Sequence, residues 1–320
     1  MSLHEKLRVA LFGCLLLAYI GCKHEPDMTG KPIEEACTSI PTFPYFGEYT
    51  FVSADTFFYN VPYVNPNNPN ELVFLKVANG KTQLVTVNLV TKVTHVLLEG
   101  ETPYGLPKWS RTNWIAFGRN DKQVWLIRPD GTDLHCISSA VFNTDPEFNY
   151  YGDTIAYATR KVTGNLETWF TTLALIDGTI VDTLWHCGVD RGCWQNPNYG
   201  IRQINETHIL LQTPSLDTQF QVLPLSKYGL GITWVDDHTV IWSEAEGLYK
   251  ADILTLKIDT LKTFCDGIRY DNPSYNSQIN KVYWDKRKSY WVDSTSVARR
   301  HRIVRMNPDG TGEEEIDIPK

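Results

Sequence analysis

The pattern of apolar and polar positions changes character twice along the chain. An unbroken apolar run covers residues 9–20, and residues 23–44 then carry scattered polar and charged side chains and four prolines with neither helical nor strand period. From about Tyr59 onward the chain becomes a series of short runs rich in Val, Ile, Leu, Tyr and Trp, each bounded by turn residues. That pattern predicts β-strands joined by tight turns.

The short runs repeat as a unit. The clearest copy opens with Pro107, Lys108, Trp109 and Ser110, continues through Asn113 to Phe117 and Val124 to Ile127, and turns at Pro129, Asp130, Gly131 and Thr132. The next has Pro146, Glu147 and Phe148, then Asp153 to Tyr157, then Trp169 to Leu175, and turns at Asp177, Gly178 and Thr179. The last has Pro273, Ser274 and Tyr275, then Lys281 to Trp284, then Ile303 to Met306, and turns at Pro308, Asp309, Gly310 and Thr311. Between them lie two copies without the Asp-Gly turn. One starts at Pro197, Asn198 and Tyr199 with strands at His208 to Leu211 and Phe220 to Leu223; the other starts at Ile232, Thr233 and Trp234 with strands at Thr239 to Trp242 and Leu248 to Ala251. A worn first copy reads Pro62 and Tyr63, Leu72 to Leu75, and Leu84 to Val87. Anchored on Trp109, Phe148, Tyr199, Trp234 and Tyr275, the spacings are 39, 51, 35 and 41 residues.

A period of roughly 40 is the size of one four-stranded propeller blade. One such sheet cannot bury both faces alone, but packed radially against its neighbours it can, so the reading is an all-β, six-bladed β-propeller of four-stranded antiparallel blades. The aromatics Trp114, Tyr157, Trp242 and Tyr283 are expected to wedge between blades. The Pro-x-aromatic opening, the strand ending in Ala-Phe or Ala-Tyr and the Asp-Gly-Thr turn resemble the repeats of the TolB-like six-bladed β-propellers, across roughly residues 59–320. Two ring closures are compatible with the pattern. In one, Glu314 to Ile318 form the outer strand of the last blade, the first and last blades close by packing, and Tyr49 to Ser53 add a strand; in the other, Tyr49 to Ser53 lock the ring by pairing with an edge.

Lys6 and Arg8 precede the first apolar run, which is short for a membrane span of ~20 residues and suits the hydrophobic region of a signal peptide. Its end at Tyr19, Ile20, Gly21 and Cys22 resembles a bacterial lipoprotein signal, with Tyr19 where that pattern has Leu. The resemblance implies a signal at residues 1–21, lipidation of Cys22 with a tether over 22–44, and a propeller domain over 45–320. It further implies attachment to a bacterial cell envelope by lipid alone, at an outer membrane facing the periplasm or the cell surface.

Composition adds two constraints. Hydrophobic residues make up 42% of 320, which excludes a disordered chain, and 30 Lys plus Arg against 37 Asp plus Glu leave a net charge of -7, which argues against nucleic acid as a partner. Export permits disulfides, and beyond Cys14 and Cys22 the remaining Cys37, Cys136, Cys187, Cys193 and Cys265 are odd in number. Cys187 and Cys193, with Gly188 and Gly192 between them, are the candidate bridge; His186 with both thiols is the competing metal site and lacks a fourth ligand.

No catalytic signature, cofactor or metal is assigned: the chain has no Gly-x-Ser-x-Gly elbow, no His-Glu-x-x-His helix and no Gly-rich phosphate loop. Asp309-Gly310-Thr311 lacks the alternating carboxylates of a calcium loop. His95, His135 and His208 fall in strands, and His186, His238 and His301 are scattered over other blades. The exceptional feature is an insertion from Asp285 to His301 that carries Lys286, Arg287, Lys288, Arg299 and Arg300 around Tyr290 and Trp291. It reads either as a basic, aromatic loop that docks a carboxylate- or phosphate-bearing partner or as an extended, solvated hairpin. Tyr104, Arg191, Trp194, Arg269 and Tyr270 are placed around the same opening. Two functions follow: a non-enzymatic module binding an envelope protein through this face, and a glycan-binding or metal-assisted carbohydrate-active protein in which Trp194 and Tyr270 stack on sugars and Asp190 and Asp271 act as acid and base.

Overall fold

The computed structural model describes residues 50–53, 57–78, 80–99, 103–119, 121–138, 143–164, 166–185, 196–198, 200–205, 208–212, 219–224, 231–244, 247–255, 257–264, 267–291 and 296–319. Among them every regular element is a strand. After β1 (Thr50–Ser53), one antiparallel sheet follows another along the chain. The first holds β2 (Phe57–Asn65), β3 (Asn68–Ala78), β4 (Lys81–Asn88) and β5 (Thr94–Glu99); the second holds β6 (Pro103–Trp109), β7 (Ile115–Arg119), β8 (Val124–Ile127) and β9 (His135–Cys136). The third comprises β10 (Asn143–Phe148), β11 (Thr154–Thr163), β12 (Leu166–Leu175) and β13 (Ile180–Trp185), and the fourth β14 (Gly200–Asn205), β15 (His208–Gln212) and β16 (Gln219–Pro224). Next come β17 (Ile232–Trp234), β18 (Thr239–Ser243), β19 (Gly247–Asp252) and β20 (Ile258–Thr263). The last blade is β21 (Ile268–Asn276), β22 (Lys281–Trp291), β23 (Ser296–Met306) and β24 (Glu314–Glu315).

The chain is therefore an all-β propeller of four-stranded antiparallel blades, but five blades are four-stranded where six were expected; the segment around residue 200 forms a three-stranded sheet within the described residues. The misreading there has a physical origin. Asn196 to Asn198 are not the opening of an inner strand: they form a turn in which Asn198 N–H donates to Asn196 Oδ1 at 2.8 Å. The same cap recurs at Asn65 with Asn67 and at Asn276 with Gln278, in the turns between first and second strands. Two of the three also reach the neighbouring blade's turn: Asn196 Nδ2 donates to Asp237 O and Asn276 Nδ2 to Asn65 O. Counting the residues just before these turns, at 64, 109, 148, 195, 234 and 275, gives spacings of 45, 39, 47, 39 and 41, more even than the sequence frame allowed.

The Asp-Gly-Thr turns behave as hairpin turns. The hydroxyls and then the N–H groups of Thr132 and Thr311 donate to Oδ1 of Asp130 and Asp309, and Thr179 N–H donates to Asp177 Oδ1, which holds these exposed carboxyls below their usual range. Gly310, at φ +83°, has two reasons to be glycine: the positive angle, and a Cβ that would come within 3.3 Å of the Leu261 carbonyl in the preceding blade.

The core sits between blades. Trp114 and Tyr157 share one buried cluster with Phe148 and Ile155, Trp242 lies in another, and Tyr283 packs with Val64, Leu72 and Phe74 of the first blade, so the wedging expectation holds. The first and last blades close by packing, and both chain segments at the seam cross it. β1 adds in parallel to β23, with Thr50 opposite Ser296 and Ser53 opposite Arg299. Beyond β24, Ile318 is buried in the first blade's cluster and Tyr59 donates its hydroxyl to Pro319 O at 2.8 Å. The expected outer strand over residues 314–318 is thus real for two residues and a latch for the rest.

Candidate functional site

The site is built by a bulge that the inner strands share. The ladder slips between Asn60 and Tyr63 in β2, between Tyr104 and Lys108 in β6, between Thr144 and Glu147 in β10, and between Asp271 and Ser274 in β21. Val61, Asp145 and Asn272 sit at φ of 53°, 53° and 52°, each immediately before the proline that opens its repeat. Positive φ is uncommon for any residue with a Cβ and costly for a β-branched one, and bulges of this kind re-aim side chains. Here they divide each inner strand into a downstream half that packs the core and an upstream half at one axial end.

At the seam that upstream half meets a long hairpin. The segment Asp285 to His301, one of whose readings was a docking loop, is almost wholly strand: β22 and β23 pair from Val282 with Met306 to Trp291 with Val297. The register aligns Arg269, Arg287 and His301 across three strands in one row, with Asp271, Asp285 and Ile303 in the next row and Ser289 with Arg299 beyond. Directly paired residues share a face, so these side chains all project toward the first blade. Arg287 pairs with Asp271, His301 Nδ1 lies 3.0 Å from Asp285 Oδ1, and Phe58 of β2 stacks on the imidazole at 4.8 Å. Asp271, Asp285 and His301 are all buried. Burial lowers the Arg299 guanidinium from its usual value, Arg287 and Arg269 lower it further, and Asp271 and Asp285 oppose them.

On the opposite face of the hairpin, Lys262 and Lys286 both donate to the Glu313 carboxylate, Tyr270 donates to its Oε2 at 2.6 Å, and Arg302 pairs with Glu315. Arg305, opposite Tyr283 in the register, pairs with Glu314. Burial alone would raise the Glu313 carboxyl, but the hydrogen bonds from Lys262, Lys286 and Tyr270 overcome it and hold it at about 2. Burial, then the bond to Glu313, pushes the Tyr270 phenol far up. A depressed carboxyl contributes stability above its unfolded value near 4.5 and loses it as the pH falls through 2. Glu313→Gln is therefore expected to flatten the acid limb of the stability curve between about pH 4.5 and 2, read as melting temperature against pH.

Several candidate residues are placed differently from expectation. Tyr270 is 1% exposed and cannot stack on a ligand, Arg287 is engaged by Asp271, and Asp271 is buried beneath that pair and is no solvent-facing acid. Arg269, Arg299 and Arg300 are half-buried on β21 and β23, with Arg300 on the face opposite Arg299. Tyr104 lies in β6, and Tyr290 and Trp291 end β22. Arg191, Trp194, Asp190, His186, Cys187, Cys193 and Cys22 lie outside the described residues. Cys136 is a free thiol whose Sγ donates to Gln123 Oε1. The Asp285–His301 pair was not anticipated, because it exists only once the insertion is folded as a hairpin.

No family model matches the chain, and no curated protein matches it in sequence. Its structure is similar to that of an oligogalacturonate lyase in complex with manganese, with a TM-score of 0.52, 10% identity, and 82% of this chain and 78% of that one covered. It is also similar to the β-propeller domain of the Trilobed protease from Pyrococcus furiosus, an open velcro propeller, with a TM-score of 0.51, 11% identity, and 82% and 85% covered. At these identities the likeness is one of fold.

Proposed function

We propose that this chain is a non-enzymatic binding module, lipid-anchored through Cys22 in a bacterial cell envelope, whose propeller presents the axial end bearing the β22–β23 hairpin to a protein partner. The observation that carries the reading is the row Arg269, Arg287 and His301, set across three strands of an otherwise acidic chain. Arg269 and Arg287 stand directly opposite, an arrangement unfavourable for like charges by itself that Asp271 beside Arg287 offsets, so the row suits a polar recognition surface. A rigid scaffold with projecting hairpins suits recognition.

A second reading draws on the Asp285–His301 pair. A carboxylate that orients an imidazole is an arrangement used for proton transfer, and one structural neighbour is a lyase of oligogalacturonate crystallised with manganese. Against it, the imidazole is 9% exposed and covered by Phe58.

Crosslinking in cells, followed by purification of the intact lipoprotein, separates the two. The comparison is a variant in which residues 290–298 are replaced by Asn-Gly, which closes Ser289 onto Arg299 with a tight turn. Recovery of one protein in near-equal amount with the wild type, and its loss with the shortened hairpin while that variant still unfolds cooperatively, is the expected result. No enriched protein, together with a rise in melting temperature on adding manganese or oligogalacturonate, overturns it in favour of the second reading.

A further inference from the structure

Among the described residues the fourth sheet, β14–β16, has one strand fewer than the other blades, and chain length gives the reason. The third strand of a blade is joined to the first strand of the next by 14 residues after β4, 15 after β8, 24 after β12 and 15 after β19, but by 7 after β16. Those residues must also carry the chain from the outside of one blade to the inner strand of the next. A turn of about two residues and a strand of about four would leave roughly one residue, ~3.5 Å of reach, to cross three strand spacings of ~4.8 Å each. The connection is too short to contain a fourth strand. β16 thus pairs with β15 along one edge and, among the described residues, with no strand along the other.

A sheet edge presents a row of backbone N–H and C=O groups, and natural edges are commonly guarded by charge. The fourth strands of the other blades each carry an ionisable side chain: Glu99 in β5, His135 in β9, Asp182 in β13, Asp259 in β20 and Glu314 in β24. β16, Gln219–Pro224, has none. The missing charge points to the occupant. In a two-fold antiparallel pair of identical strands every residue stands on the same face as its own copy, opposite or diagonal to it, so a charged edge strand repels itself. Of these outermost blade strands, β16 alone escapes that repulsion.

We infer that β16 pairs antiparallel with β16 of a second copy of this chain, joining two three-stranded sheets into one of six strands. Backbone hydrogen bonds supply the attraction, and the uncharged strand lets like meet like. A blade edge and an axial end are different surfaces, so the inference goes beyond the proposed partner site and is independent of it. One short strand from each copy is a small contact, so the dimer is expected to depend on concentration.

Sedimentation equilibrium of the purified full chain in a density-matched detergent reads the mass of the protein alone. That mass is expected to move from one chain toward two as concentration rises. Over the same range hydrogen exchange should slow in residues 219–223 and stay unchanged in β5 and β20. Gln221→Lys and Gln221→Glu should each weaken the association about fivefold, the scale of one like-charged cross-strand pair. An equimolar mixture of the two should associate at least as tightly as the wild type, and cooperative thermal unfolding checks that each variant folds. A single chain at every concentration overturns the inference. Fast exchange in β16 would then leave its edge open, and slow exchange would mean that another part of the same chain covers it. Two chains that neither charge weakens, or that the mixture fails to restore, also overturn it, because the contact then lies elsewhere.

Discussion

Glu147→Ala is expected to destabilise the chain by about 3–5 kcal/mol, the largest loss for a single side chain away from the apolar core. Glu147 is the middle residue of one Pro-x-aromatic opening and Lys108 of the preceding one, and their inner strands bring Nζ within 2.7 Å of Oε2. The pair is almost dry, with side-chain exposures of 14% and 4%, and the Lys108 ammonium lies 4.8 Å from the centre of the Tyr63 ring of the first blade. Removing the carboxylate leaves a buried ammonium with only an aromatic face for a partner, and such a charge is costly. Removing both charges is different: Lys108→Met with Glu147→Leu keeps volume and eliminates both desolvation costs, so most of the lost stability should return. Urea melts of the two single variants and the double variant form the cycle that checks this. A double variant as unstable as the worse single one would show that the pair is required in its own right.

That pair was legible in principle, because both residues occupy the same position of successive repeats, and a ring sets equivalent positions of neighbouring blades side by side. Tyr63 and Ser274 hold this position in the first and last blades, and Val64 N–H donates to Ser274 Oγ across the seam. The Asp-Gly-Thr turns were legible for a local reason: a residue with positive φ and an Asp cap two residues before a Thr are written in consecutive letters. Pro197, Asn198 and Tyr199 imitate the opening letter for letter, yet Asn196 caps a turn there. The imitation shifted that copy by one strand and cost the four-stranded count. The charged face was the least legible part. Asp285 and His301 are 16 residues apart and meet only through the register of β22 with β23, and a one-residue slip would put every cation of that hairpin on the other face.

The seam itself supplies the second large effect. Ending the chain after Glu315 is expected to destabilise it by about 2–5 kcal/mol, and to do so unevenly. The lost segment buries Ile318, 8% exposed, among Val64, Leu72, Phe74 and Val85, and emptying such a site costs about 2–5 kcal/mol. It also removes the carbonyl that accepts the half-buried Tyr59 hydroxyl. The ion pair of Lys92 with Asp317 adds little, since the Asp317 side chain is 91% exposed, so Asp317→Asn should be near neutral where Ile318→Ala is not. In a closed ring each blade is stabilised by its neighbours, and weakening one junction should open the ring there first. Hydrogen exchange would accordingly quicken in β2 to β5 and β21 to β24 before the blade of β10 to β13 responds. Uniform quickening over all blades would mean that the tail supports the ring as a whole and that the seam is not its weakest junction. Local quickening would place the row of Arg269, Arg287 and His301 on the part of the ring that opens most readily.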